Sequence, residues 1–173
     1  GEKIISNNTP LTNMTAHLFI TEGIMTLAPL NFGVAGGSLV SYIQMNSRQS
    51  PIVTAAEISA KGLHLNQLFP GSTLAAADTG TMGGRAKLLG HGNSVARMLA
   101  TANGESALIM DGGSVGELML RLSNLDIANS LLVLLTGDKQ VPIRCMVGNF
   151  KAVDGDFIVK DLVLDTAKVN IVG

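Results

Sequence analysis

From Met14 the chain takes on a period of two: Met14, Ala16, Leu18 and Ile20 alternate with Thr15, His17, Phe19 and Thr21. That spacing predicts a strand with one face turned to an apolar layer. Glu22-Gly23 reads as a turn into a short strand over 24–27. Pro29 interrupts, and 30–34 continue the sheet until Gly36-Gly37 turns it again. Strands over 39–45 and 52–60 follow, joined by the polar tip 46–51. Later strands are expected over 85–91, 105–110, 141–147, 157–165 and 169–172, with Asp154-Gly155 as a hairpin turn. In the strand over 141–147, Val141, Ile143, Cys145 and Val147 form the apolar side against Pro142, Arg144, Met146 and Gly148. Every connection in the first part is short, which describes an antiparallel meander with one dry and one wet face.

Helical periodicity enters late. Leu63, Leu65, Leu68 and Phe69 make a compact apolar loop or single helical turn. Ser94 is placed to cap a short helix with Val95, Met98, Leu99 and Ala102 on one face, ended by Gly104. The strongest helical signal lies in 113–147. Val115, Leu118, Met119 and Leu122 share one face, and Ser114 with Glu117 forms a capping box. A second face follows at Ile127, Leu131, Leu134 and Leu135 before Gly137. The expected fold is therefore α+β and β-dominated: a long, curved antiparallel meander with about three short amphipathic helices against one face or end. Residues 1–12 read as a frayed segment, and 13–173 as one domain.

Composition narrows the function. The chain has 173 residues and a formal net charge of −1, with 12 Lys and Arg scattered rather than clustered. It contains no Trp, one Tyr and five Phe. Neither a basic footprint nor stacking platforms are present, which argues against nucleic acid. The apolar content is aliphatic plus eight Met, a soft interior that is either core filler or a surface for flexible ligands. One cysteine leaves the redox compartment open. The chain begins at Gly1 without Met and reads as a piece of something longer.

Reactive constellations are poor. His17, His64 and His91 stand far apart, none with a second His or Cys at metal-ligand spacing. Cys145 reads as a buried small hydrophobe rather than a nucleophile. Asp154 and Asp156 flank a turn, and Ser38, Ser59 and Ser106 lack the G-x-S-x-G frame. The Gly- and Thr-rich stretch over 75–84 lacks both phosphate-loop patterns and reads as a flexible connection. No catalytic residue, metal or cofactor is expected.

Particular residues nevertheless point to a family. Gly92-Asn93-Ser94-Val95-Ala96 with Leu99-Ala100 and Asn103-Gly104-Glu105, then Gly137-Asp138-Lys139-Gln140-Val141-Pro142-Ile143-Arg144-Cys145 and Asn149-Phe150, resemble the C-terminal region of AsmA-type envelope proteins. So do Leu162-Val163-Leu164-Asp165-Thr166 and, upstream, Ile24-Met25-Thr26-Leu27-Ala28-Pro29-Leu30-Asn31-Phe32 with Ala35-Gly36-Gly37. The resemblance runs from about Asn13 to Gly173. It implies a non-enzymatic periplasmic β-groove segment of a protein anchored in the inner membrane, with a role in phospholipid transport and outer-membrane assembly. It further implies phospholipid acyl chains and envelope proteins as partners, with the membrane anchor in the parent protein. The groove lining expected on this basis is Met14, Leu18, Ile20, Ile43, Met45, Ile58, Leu88, Ile143 and Val147. Two arrangements stay open: helices closing the apolar face into a core, or a face left open to lipid. The alternative role is a structural, protein-docking cap that binds no lipid itself.

Overall fold

The structure, a computed structural model, describes residues 3–4, 11–68, 80–116 and 140–173. Among them a single antiparallel sheet dominates. After the two-residue strand β1 (Lys3–Ile4) come β2 (Leu11–Thr21), β3 (Ile24–Val34), β4 (Gly37–Asn46) and β5 (Val53–His64). The one-turn helix α1 (Leu65–Leu68) precedes β6 (Thr81–His91), and α2 (Val95–Ala100) leads to β7 (Asn103–Asp111). The three-residue β8 (Ser114–Gly116), β9 (Gln140–Val153), β10 (Asp156–Thr166) and β11 (Asn170–Val172) complete the order. Strands pair in chain order from β1 to β7, then β9, β10 and β11, while β8 pairs β9 off this path.

The turns follow local chemistry. Glu22-Gly23, Ala35-Gly36 and Asp154-Gly155 each place two successive residues at positive φ, the conformation that two-residue hairpins require. The second turn falls one residue earlier than the glycine pair suggested. Pro29 does not end a strand either. β3 runs through it, with an irregularity in its register between Leu27 and Leu30 that accommodates the missing N–H. The Ser41 hydroxyl donates to the Leu30 carbonyl at 3.1 Å beside this irregularity.

Two helical expectations need correction. Ser114–Gly116 form a strand against Gln140–Pro142 rather than a capped helix start. The remaining residues of that predicted helix pair, 117–139, lie outside the described residues. In α2 the cap is as expected, with the Ser94 hydroxyl accepting from the Arg97 N–H. Its expected packing face is not. Met98 is half-buried and Ala102 fully buried, but Val95 and Leu99 are 73% and 50% exposed. The two described helices sit near opposite ends of the strands. Leu65 of α1 belongs to a cluster with Met110 and Ile143, flanked by Met82, Met146 and Leu164. At the other end α2 rides over Gly90, where a Cβ would run into the Met98 carbonyl. Gly155 at φ +88 lies equally close beneath Ala100 and donates to the Ala102 carbonyl at 2.9 Å.

Strand β6 also begins four residues before the expected start, so Thr81–Gly84 belong to the sheet and not to a flexible connection. No helix among the described residues is long and apolar enough to cross a membrane.

The Gly90 contact yields a test. Gly90→Val is expected to push α2 off the sheet and lower stability by about 1–3 kcal/mol. Urea unfolding measures this; an unchanged midpoint would show that α2 does not pack there.

Candidate functional site: an aliphatic sheet face

Pairing register decides which side chains share a side, because directly opposed residues point the same way. Following the partners from β2 to β10 gives one row of Leu18, Leu27, Ile43, Ala56, Leu88, Gly104, Ala152 and Phe157. A second row is Phe32, Leu39, Ala60, Gly84, Leu108, Gly148 and Leu162. Between them run Leu30, Ser41, Ile58, Ala86, Ser106, Phe150 and Val159. Toward the α1 end, Leu63, Met82, Met110, Met146 and Leu164 form a methionine-rich row. None of these positions is charged. Most are half-buried rather than fully buried, so the face is crowded yet not sealed by a second layer among the described residues.

The opposite side is built differently. Tyr42, Glu57, Lys87, Glu105 and Lys151 stand in one row, so charges alternate across four strands. Lys87 Nζ lies 2.7 Å from Glu57 Oε1. That hydrogen bond first, and the carboxylate charge second, hold the Lys87 ammonium above the usual lysine range. Asn149 donates to Asp161 at 3.2 Å in the neighbouring row. A charged ladder of this kind belongs in water.

A hollow of about 1120 Å³ crosses the middle of the sheet. Most of its lining comes from the two rows of the charged side, Tyr42, Glu57, Lys87, Glu105 and Lys151 and Val40, Ser59, Arg85 and Asn149, with Ser41, Ile58, Ala86, Ser106 and Phe150 of the row between them. The hollow is thus built mainly of polar and charged residues and not of the aliphatic rows. Of the nine residues expected to line a lipid groove, only Ile58 borders it, and Leu88 borders a smaller hollow of about 410 Å³ beside it.

The nine expected residues separate by face. Leu18, Ile20, Ile43, Met45, Ile58 and Leu88 occupy the aliphatic face by register, and Met14 follows it by alternation in β2. Ile143 reaches the same face through a bulge: Cys145 pairs with Asp165, but Ile143 pairs with the next residue, Thr166. That bulge switches the strand's parity. Val147 consequently lies on the opposite face, in register with Ile109 and Val163, and is 41% exposed. Cys145 goes with it and is exposed rather than buried. The residues that replace them on the aliphatic face are Met146, Gly148, Phe150 and Ala152. Their own period-two run, continuing from Met146, was the available signal.

Among the described residues the remaining chemistry-bearing side chains do not converge. His64 Nδ1 lies 3.1 Å from the Ala35 carbonyl, His17 is exposed on β2, and at His91 it is the backbone N–H that donates to Thr101 Oγ1, at 2.8 Å. Asp154 Oδ1 accepts from Asn103 at 3.0 Å, and its N–H donates back to Asn103 Oδ1 at 3.2 Å. That reciprocal pair ties the β9–β10 hairpin to the start of β7. Asp138 and Lys139 lie outside the described residues.

The sequence pattern of the AsmA family matches residues 1–162. The chain is also similar to the AsmA family protein YhjG of Escherichia coli (strain K12), at 31% identity over 166 residues. That match covers 95% of this chain and 24% of the relative, so the chain spans about a quarter of the relative's length. No solved structure matches the chain.

The charge ladder makes two predictions. Lys87→Glu would set like charges side by side with Glu57 and Glu105. It is expected to unfold at lower urea concentration than the parent, with a gap that narrows in high salt. Because the Lys87 pKa is raised on folding, its contribution is full below the ordinary lysine range and lost as pH rises through the raised value. The stability difference between parent and Lys87→Met should therefore be constant near neutrality and shrink only in strong base.

Proposed function

The chain belongs to the AsmA family, and we propose that its sheet is a non-enzymatic lipid-binding segment whose aliphatic face receives phospholipid acyl chains. Membership suggests, at the level of the family, a role in the envelope in outer-membrane assembly and lipid transport. The periplasm is the compartment we assign, in a parent protein anchored in the inner membrane. Phospholipid in transit between the two membranes is the cargo we assign.

One observation carries the reading: uncharged rows extend without a break over as many as eight strands, and most of their residues are half-buried. Apolar surface left to water costs about 25 cal/mol per Å², so a contiguous face of this kind marks a binding surface. The chemistry on it discriminates among ligands. Side chains are aliphatic, thioether or, at Phe32, Phe150 and Phe157, phenyl, with isolated hydroxyls at Ser41, Thr54 and Ser106. Such a wall accepts flexible hydrocarbon without selecting a charged headgroup. In this arrangement the sheet is a groove, its dry side carrying the chains and its charged ladder facing water.

A second reading has its own observation. On the charged side, Ile109, Val147, Val163 and Val172 lie in register and are 54%, 41%, 37% and 75% exposed. This stripe suits a protein partner of the envelope, and it favours docking as an additional or alternative role.

Native mass spectrometry of protein purified from cells tests the lipid reading. Co-purified phospholipid is expected with the parent and with Val40→Asp, whose side chain lies on the charged side. Ile58→Asp and Leu88→Asp should lose it by roughly tenfold or more, because an unpaired carboxylate on the face would have to be desolvated by the acyl chain. Lipid-free parent protein, or equal lipid in all four, would exclude the reading.

A further inference from the structure

Three methionines meet on adjacent strands of the sheet. Met82 of β6 pairs with Met110 of β7, and Met110 pairs in turn with Met146 of β9. The register runs without a shift through both pairs. Directly opposed residues have Cβ atoms about 4.5–5.5 Å apart on one side of a sheet, so the thioethers leave the backbone side by side with Met110 in the centre. Leu63 and Leu164 end the row, as the partners of Met82 and Met146. Leu65 of α1 and Ile143, 1% and 6% exposed, cluster with Met110, itself 6% exposed.

Methionine used as filler goes where gaps are irregular, because its unbranched chain bends to fit them. This row is regular, and leucine already fills both of its ends. What the three central positions share is sulfur. A thioether is a soft, neutral donor that selects soft ions over hard ones. Among the described residues no three His, Cys, Asp or Glu stand together where they could hold a metal. Asp111, Cys145 and Asp165 pair in the adjacent row and so point to the other side of the sheet. The donor set around Met110 is therefore sulfur without carboxylate, imidazole or thiolate, inside an apolar shell.

We propose that Met82, Met110 and Met146 form a three-thioether site for a soft monovalent cation of the Cu(I) class. Such an ion bonds well to polarisable sulfur, and its single charge limits the cost of leaving water. Hard divalent cations would give up tightly held water for ligands that return no charge. Met82 and Met146 are only partly buried, which leaves the row open to the ion, while Leu65 and Ile143 keep water from its inner side. Unbranched side chains converge on the ion by rotating, with the strands left in place. The inference stands independently of what the aliphatic rows bind.

Titration with Ag(I), the redox-inert ion of the same class, tests it in a Cys145→Ser chain, where the competing exposed thiol is removed. The methyl resonances of Met82, Met110 and Met146 are expected to shift and to saturate at a single ion per chain, with that of Met98 unmoved. Zn²⁺ should shift none of them. Met110→Leu, close in volume to the residue it replaces, should weaken Ag(I) binding by roughly tenfold or more, with a urea midpoint near that of the parent. Met98→Leu should bind as the parent does. If Met110→Leu does not fold, Met82→Leu and Met146→Leu at the partly buried positions carry the same expectation. Cu(I) supplied without oxygen against a chromophoric chelator should be taken up with the same stoichiometry and the same dependence on these residues. Absence of a saturable shift, shifts spread evenly over all methionines, an equal response to Zn²⁺, or equal binding by the parent and the folded Leu variants would each overturn the proposal.

Discussion

Antiparallel pairing in fixed register is the constraint from which the rest of this molecule follows. A strand sends alternate residues to opposite sides, so a slip of one residue would exchange its dry and wet sets entirely. Here the partners from β4 to β7 are matched residue for residue over most of their length. Leucine meets isoleucine, alanine or glycine on one side, and carboxylate meets ammonium on the other. The charged ladder through Glu57, Lys87, Glu105 and Lys151 rewards the same register that the apolar rows reward. Each set of contacts excludes the slipped alternative of the other. Where the chain departs from strict alternation, at Pro29 in β3 and near Arg144 in β9, bulges absorb the extra residue and restore the match.

This origin explains why the molecule can present an aliphatic surface at all. An ordinary domain packs a second layer over its dry face. Among the described residues the second layer is confined to α1 and its methionine-rich cluster near one end and α2 at the other. The stretch between them relies on backbone pairing and lateral contacts within rows. Small residues at Ala86, Ser106, Gly84 and Gly148 keep that stretch shallow beside Leu88, Leu108 and Phe150. Fold and proposed function thus share one cause: the feature that leaves the face unsealed among the described residues is the one that would admit hydrocarbon.

Much of the architecture was readable beforehand because it is local. The alternation around Leu18, the turn at Asp154-Gly155 and the Ser94 cap depend on neighbours in sequence, and each stands where its chemistry places it. What misled was parity. Ile143, Cys145 and Val147 look alike as every second residue, yet a bulge between Ile143 and Cys145 sends the latter two to the opposite face. A bulge is fixed by the partner strand, Asp165-Thr166, some twenty residues away, and periodicity within β9 is blind to it. Ser114 misled for a related reason. Its capping-box spacing with Glu117 is a local helical preference, and pairing with Pro142 overrides it. Val95 and Leu99 show the same limit from the other side, since helical spacing reveals a shared face but not whether anything covers it.

Photo-crosslinking with a phospholipid bearing a diazirine at the acyl terminus, followed by mass-spectrometric mapping of adducts, examines the central claim most directly. Adducts are expected on the aliphatic rows, at Ile43, Leu88, Leu108, Met146 and Phe150, with Val40, Glu57, Lys87 and Val147 unlabelled. Labelling spread equally over both faces, or concentrated on the charged side, would contradict it.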